Sequence, residues 1–220
     1  MKKILLIAMA ALMLGNGGYL LYSGLKETAD AKTTVSASET KQEATTDTIQ
    51  YVKTEIPEAL QLDVPLILQR PQLPTGCEIV SAAMLLQYAG VDLEASQLAL
   101  EIPYDEEDPN LGYVGDPFTT DGWTIYPNAL EDTLRQYIPS AYDMTGATIE
   151  DLKQQLSDGK PVVVWPSWLH GFYLHSVIVT GYDENGIIIN DPWTGEAGAW
   201  ISTEEFLEMW ADQECRALSY

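Results

Sequence analysis

Two apolar runs, Leu174 to Tyr182 and Ile187 to Asn190, flank the polar stretch Asp183-Glu184-Asn185-Gly186. Val- and Ile-rich runs bounded by Asp, Asn and Gly predict strands joined by a turn, hence an antiparallel hairpin. Pro161 to Trp165 predicts a third, buried strand, and Cys215 to Tyr220 a last one. Upstream the period changes. Residues 76–89 place Ile79, Val80, Ala83, Met84, Leu86 and Tyr88 on a broad apolar face, and Gly90 follows, as a helix with a stop signal requires. Shorter helices are predicted at Glu94 to Leu100, 127–137, 148–157 and 203–210. Val64 to Leu68 reads as a short strand or an extended entry. Helices first and an antiparallel sheet second is the α+β arrangement.

The 220 residues suffice for one ordinary domain plus a non-globular extension. Residues 1–24 carry Lys2 and Lys3 ahead of an apolar run from Ile4, the pattern of a bacterial secretory signal. The run resumes after Gly15-Asn16-Gly17-Gly18 and reaches Tyr22. It therefore also fits a retained membrane tether through residues 4–22, with the Lys pair on the cytoplasmic side. Residues 25–55, rich in Thr, Ala, Ser, Glu and Lys, are expected to be a disordered spacer. The globular domain is expected over 56–220, outside the cell or on the outer face of the cytoplasmic membrane.

Charge is partitioned along the same boundary. Residues 1–55 hold six Lys and six acidic residues, so residues 56–220 carry the whole net charge of −22, with 27 acidic residues against 5 basic ones. Such a surface repels phosphate backbones and argues against nucleic-acid binding. It attracts cationic partners, or simply keeps the protein soluble. Asp105, Glu106, Glu107 and Asp108 lack the spacing of an EF-hand loop. Two cysteines, Cys77 and Cys215, allow one disulfide at most. With two histidines and neither HExxH nor CxxC, the sequence implies no zinc site and no cofactor.

Cys77 stands at the head of the first helix. Thr75 and Glu78 have the spacing of a capping box, which would put Thr75 at the N-cap and the thiol amid free backbone N–H groups. That field favours a thiolate, and Gly76 leaves an approach to the sulfur open. From position alone an inert buried thiol is the alternative. Glu78 works against the thiolate unless the capping box turns its carboxylate away.

The hairpin supplies a partner. His175 and Asp191 flank its turn at nearly equal sequence distances and are expected to be cross-strand neighbours. A carboxylate there would orient the imidazole. Asn190 is the alternative orienting group, although its side chain should face the other way. His170 is the alternative base. Gln69 and Gln72 both qualify as a side-chain donor to an oxyanion, beside the backbone N–H of Cys77. The long loop Pro103 to Pro127, with Tyr113, Phe118, Trp123 and Tyr126, is expected to wall a cleft. Trp168, in a loop near His175, is a further candidate wall residue.

Four stretches together resemble the C39-like peptidases of the papain-like cysteine-peptidase superfamily, closest to the stand-alone exported bacterial branch. They are VPLILQRPQLPTGCEIVSAAMLLQYAGV (64–91), DPNLGYVGDPF (108–118), GKPVVVW (159–165) and HSVIVTGYDENGIIINDPW (175–193). The resemblance implies a papain-like fold, with the Cys helix against the His/Asp sheet. It also implies Cys77 as nucleophile, His175 as base, Asp191 as orienting acid and Gln69 as oxyanion donor. Transporter-linked members carry Asp-Cys-Gly where this chain has Gly76-Cys77-Glu78, and their Gln lies six residues before the Cys rather than eight. No transporter accompanies this domain, so leader processing is not implied. The function expected is a monomeric peptidase or acyl hydrolase acting on a peptide or cell-wall peptide through a thioester. A papain-like binding domain without catalysis is the alternative.

Overall fold

The computed structural model describes residues 55–220. The expected signal or tether (1–24) and nearly all of the expected spacer (25–55) lie outside the described residues.

In chain order the elements are β1 (Leu60–Gln61), α1 (Cys77–Tyr88), α2 (Ala95–Leu98), β2 (Tyr104–Asp105), β3 (Tyr113–Val114), α3 (Pro127–Arg135), β4 (Tyr142–Asp143), α4 (Ile149–Ser157), β5 (Val162–Val164), β6 (Val177–Tyr182), β7 (Gly186–Asp191), β8 (Glu196–Ser202), α5 (Thr203–Ala211) and β9 (Ala217–Ser219). Seven strands form one antiparallel sheet in the order β4-β9-β5-β6-β7-β8, with β1 paired to the far end of β6. The fold is α+β and papain-like.

Alternation along the strands sorts the core into two layers. Val163, Trp165, Ile178 and Leu218 face one side, where they meet Val80, Ala83, Met84 and Leu86 of α1 and Leu130 and Leu134 of α3. Val162, Val164, Val177, Val179, Ile187 and Ile189 face the other, against Leu152 and Leu156 of α4 and Phe206 and Trp210 of α5. The sheet is therefore covered by helices on both faces rather than on one. Helix α1 is buried all round from Cys77 to Leu86, as expected of a helix apolar on every side. Helix α4 begins with a reciprocal capping box between Thr148 and Asp151.

The hairpin forms where the turn chemistry places it. The Asp183 carboxylate accepts the N–H groups of Asn185 and Gly186, both at 2.8 Å. Strand β6 starts only at Val177, so Leu174 and His175 precede it instead of lying within it. Residues 64–68 form no strand of the sheet. The long loop contains a two-residue parallel pair, β2 with β3. Strand β8 has no apolar run to announce it; it pairs with β7 along most of its length.

Candidate active site

Cys77 is the first residue of α1, and Gly76 (φ −101°, ψ 41°) is its N-cap, with no side chain capping the helix. The expected Thr75–Glu78 capping box does not form. The Thr75 hydroxyl donates to the carbonyls of Thr119 (3.0 Å) and Asp116 (3.4 Å). The Glu78 side chain points into the core, where Thr124 Oγ1 donates to its Oε1 at 2.5 Å. Tertiary contacts of the long loop thus claim both ends of the motif.

This changes the electrostatics of the thiol. Burial pushes the Glu78 carboxyl up to about 7, against the pull of the Thr124 hydrogen bond. Burial, and then the Glu78 charge beside it, push the Cys77 thiol well above its ordinary value, while the Ser176 N–H pulls the other way. The expected lowering by the helix terminus is outweighed. Cys77 is 8% exposed, and neither it nor Cys215 is in a disulfide.

The sheet side is differently made. The His175 N–H donates to the Pro166 carbonyl (3.1 Å), and its Nε2 meets Asp191 Oδ1 at 2.9 Å. Asp191 ends β7 and is 1% exposed. Its Oδ1 also accepts the Trp193 N–H at 2.8 Å. Its Oδ2 meets His170 Nε2 at 2.6 Å. Burial raises the Asp191 carboxyl, but the hydrogen bond and charge of His175, the Trp193 N–H and His170 together outweigh it and hold it at about 2. Asn190 points away, as strand alternation requires: its Nδ2 donates to the Val64 carbonyl, and its Oδ1 accepts the Gly198 N–H.

Cys77, His175 and Gln69 border one cleft of about 170 Å³, together with Trp123, Phe172, Leu174 and Trp193. Gln69 is fixed by its N–H to the Pro192 carbonyl (3.0 Å) and by Nε2 to the Pro74 carbonyl (2.9 Å); its Oε1 is buried without a partner. Gln72 borders a neighbouring cavity, not this cleft. His170 does not border the cleft either.

Of the five expected wall residues, only Trp123, half exposed, takes that place; Phe118 and Tyr126 do not border the cleft. Tyr113 is fully buried and donates its hydroxyl to the Thr75 carbonyl at 2.7 Å, so it holds the segment before Cys77 instead of lining the cleft. Trp168, 60% exposed, stacks edge-on against Tyr173 at 5.4 Å, outside the cleft. Residues that sequence reasoning missed are Phe172, Leu174, Trp193 and Thr124. The first three lie within three residues of His175 or Asp191, so aromatic and apolar flanks of the expected pair were the available signal. Thr124 gave none.

Gly122 joins the long loop to the helix head. A Cβ there would come within 2.2 Å of Thr75 Oγ1 and 2.5 Å of Tyr113 Oη, so no larger residue fits without displacing them.

A thiol at the head of a buried helix, across a cleft from an imidazole and carboxylate at the strand ends of an antiparallel sheet, is the arrangement of the papain-like class. The chain belongs to the Peptidase_C39 like family, whose model matches residues 61–218. It is 34% identical over 164 residues to the uncharacterized protein YvpB of Bacillus subtilis (strain 168), a match that covers 61% of this chain and 66% of that protein, just under two thirds of its length. In three dimensions it is similar to the crystal structure of a candidate C39-like peptidase from Bacillus anthracis. That likeness has a TM-score of 0.70 at 30% identity and covers 74% of this chain and 98% of the other. Family membership supports a peptidase function.

Proposed function

We propose that the chain is an exported cysteine peptidase acting on a peptide or cell-wall peptide, with Cys77 as nucleophile and His175 as base. The observation that carries this is the convergence of Cys77, His175 and Gln69 on one cleft, with Asp191 holding the imidazole from behind. Nε2 of His175 is occupied by Asp191, so Nδ1 is the nitrogen left for the thiol. In the proposed reaction His175 Nδ1 takes the thiol proton as sulfur bonds to the substrate carbonyl. The oxyanion is met by the Cys77 N–H and a Gln69 Nε2 hydrogen. The intermediate collapses with transfer of the proton to the leaving amine, and water then hydrolyses the thioester with His175 as base. Asp191 stabilises the imidazolium in each half. Release to another amine instead of water would be acyl transfer through the same thioester.

The protonated thiol beside Glu78 favours a second reading, a binding domain that keeps the cleft without the chemistry. One experiment separates them. The full chain is incubated with a peptide library, and products are read by mass spectrometry. Cleavage lost in Cys77→Ala supports the peptidase; cleavage at the same rate in that variant overturns Cys77 as nucleophile, and none by the native chain leaves the binding domain. Export is tested by fractionation: the chain is expected outside the cytoplasm, and a cytoplasmic pool alone would overturn that part.

A further inference from the structure

Asp191 has two imidazoles, and the proposed reaction uses only one. His175 sits between Asp191 and the cleft. His170 approaches the same carboxylate from the other side, with the two rings 6.1 Å apart. The contact to His170 is the shorter one, 2.6 Å against 2.9 Å. It is also differently placed: His175 and the Trp193 N–H both bind Oδ1, whereas His170 is the only one of the three on Oδ2.

Ordinary chain preference does not produce this contact. Trp168 (φ 58°), His170 (φ 54°) and Gly171 (φ 83°) all adopt left-handed backbone within four residues. Bulky residues other than glycine rarely occupy that region, and they persist there when surrounding contacts hold them. The same turn delivers Phe172, whose ring lies 5.8 Å from that of His175 and 4.9 Å from that of Trp193. Residues 170–172 therefore brace the carboxylate on one side and the imidazole on the other.

We infer that His170 is a positioning residue for the His175–Asp191 pair; the inference rests on the Cys77–His175 chemistry proposed above. The terminal torsion of an aspartate is soft and roughly two-fold, so donors on one oxygen alone leave the carboxylate plane free to swing. A donor on Oδ2 removes that freedom. Oδ1 then stays aimed at His175 Nε2, and Nδ1 stays turned to the cleft. Preorganisation of this kind acts on the rate through the base it orients.

The test needs no substrate. Iodoacetamide labelling of the full chain is followed at both thiols by mass spectrometry, with Cys215 as the internal reference. His170→Leu is expected to slow labelling of Cys77 about tenfold, the scale on which partners behind a reactive group act. The Cys215 rate should stay as in the native chain, while the melting temperature falls by a few degrees, because the buried Asp191 Oδ2 loses its donor. His170→Gln, whose Nε2 can replace the imidazole donor, is expected to restore the Cys77 rate to within about twofold. Native-rate labelling of Cys77 in His170→Leu overturns the inference, and so does equal slowing by Leu and Gln. Should His170→Leu not fold, His170→Ala takes its place in the same comparison. His175→Ala separates the two levels. If it is slow while His170→Leu is not, only the role of His170 falls. If it labels at the native rate, the proposed base falls as well.

Discussion

The two walls of the cleft are built by opposite means. On the sheet side both Asp191 oxygens are bonded, His175 is held through both its N–H and its Nε2, and Asn190 is tied off on the opposite face. On the helix side two buried oxygens have no partner, Gln69 Oε1 and Glu78 Oε2, against one on the sheet side, Ser176 Oγ beside His175, and burial keeps both Glu78 and the thiol toward their protonated forms. A fully bonded polar network is rigid, whereas an unpaired buried acceptor costs stability and is retained where it serves something else. For the proposed reaction, the sheet wall already holds its base in place. In that reaction the helix wall would have to give up a proton before the thiol could attack.

That contrast can be broken most severely at its rigid side. Asp191→Ala removes the group that orients His175 and is expected to lower kcat on a cleaved peptide by about a thousandfold with little change in KM. Comparable loss in both constants would show that the pair positions substrate instead.

The two walls should also answer pH in opposite directions. Asp191 is held at about 2 in the folded chain, below its ordinary 3.8. It contributes stability that is full above 3.8 and lost as pH falls toward 2. Glu78 is raised from 4.5 to about 7, so the folded chain keeps its proton longer than the unfolded one. Its contribution is full below 4.5 and lost as pH rises through about 7. Urea midpoints should therefore fall on both sides of a maximum near pH 4. In Glu78→Gln the decline from pH 4.5 to 7 should flatten, and labelling of Cys77 should move to lower pH. An unchanged decline in that variant would assign it to other groups.

Gly122→Ala tests the loop that holds the helix wall. It drives a methyl into Thr75 Oγ1 and the Tyr113 hydroxyl and is expected to cost about 2 kcal/mol in denaturant unfolding. The smallest effect belongs to the rim. Trp123→Ala should raise KM about threefold and leave kcat nearly unchanged, since uniform binding contributes to KM alone.

The same contrast explains what was legible in the sequence. The sheet wall is local: Leu174 to Asp191 contains two apolar runs and one turn, and strand alternation separates Asp191 from Asn190. Counting from the turn puts His175 and Asp191 at the same end of the hairpin, but they are not cross-strand partners: the last β6–β7 pair is Ile178 with Asn190, and His175 reaches Asp191 from the segment before β6. The helix wall is not local. Thr75 and Glu78 have the right spacing for a cap, but their side chains go to Thr119 and Thr124, over forty residues away. Spacing cannot reveal a competitor that far along the chain. Tyr113 failed for the same reason, since its hydroxyl is used by the Thr75 carbonyl. Residues 196–202 escaped notice because Glu196, Gly198 and Ser202 interrupt any apolar pattern, and an outermost strand needs none.

The place of β9 in the sheet sets an order of events. It is the last of the described strands, yet it lies between β4 and β5, pairing Leu218 with both Asp143 and Val163. Until it arrives, β5 has a bare edge, and α1 packs on an unfinished layer. Long-range pairings of this kind form late, since the intervening chain must be closed first. During synthesis β4 and β5 are made well before the strand they share, so each keeps an unpaired edge, exposed to pairing with other chains, until Ala217–Ser219 arrive.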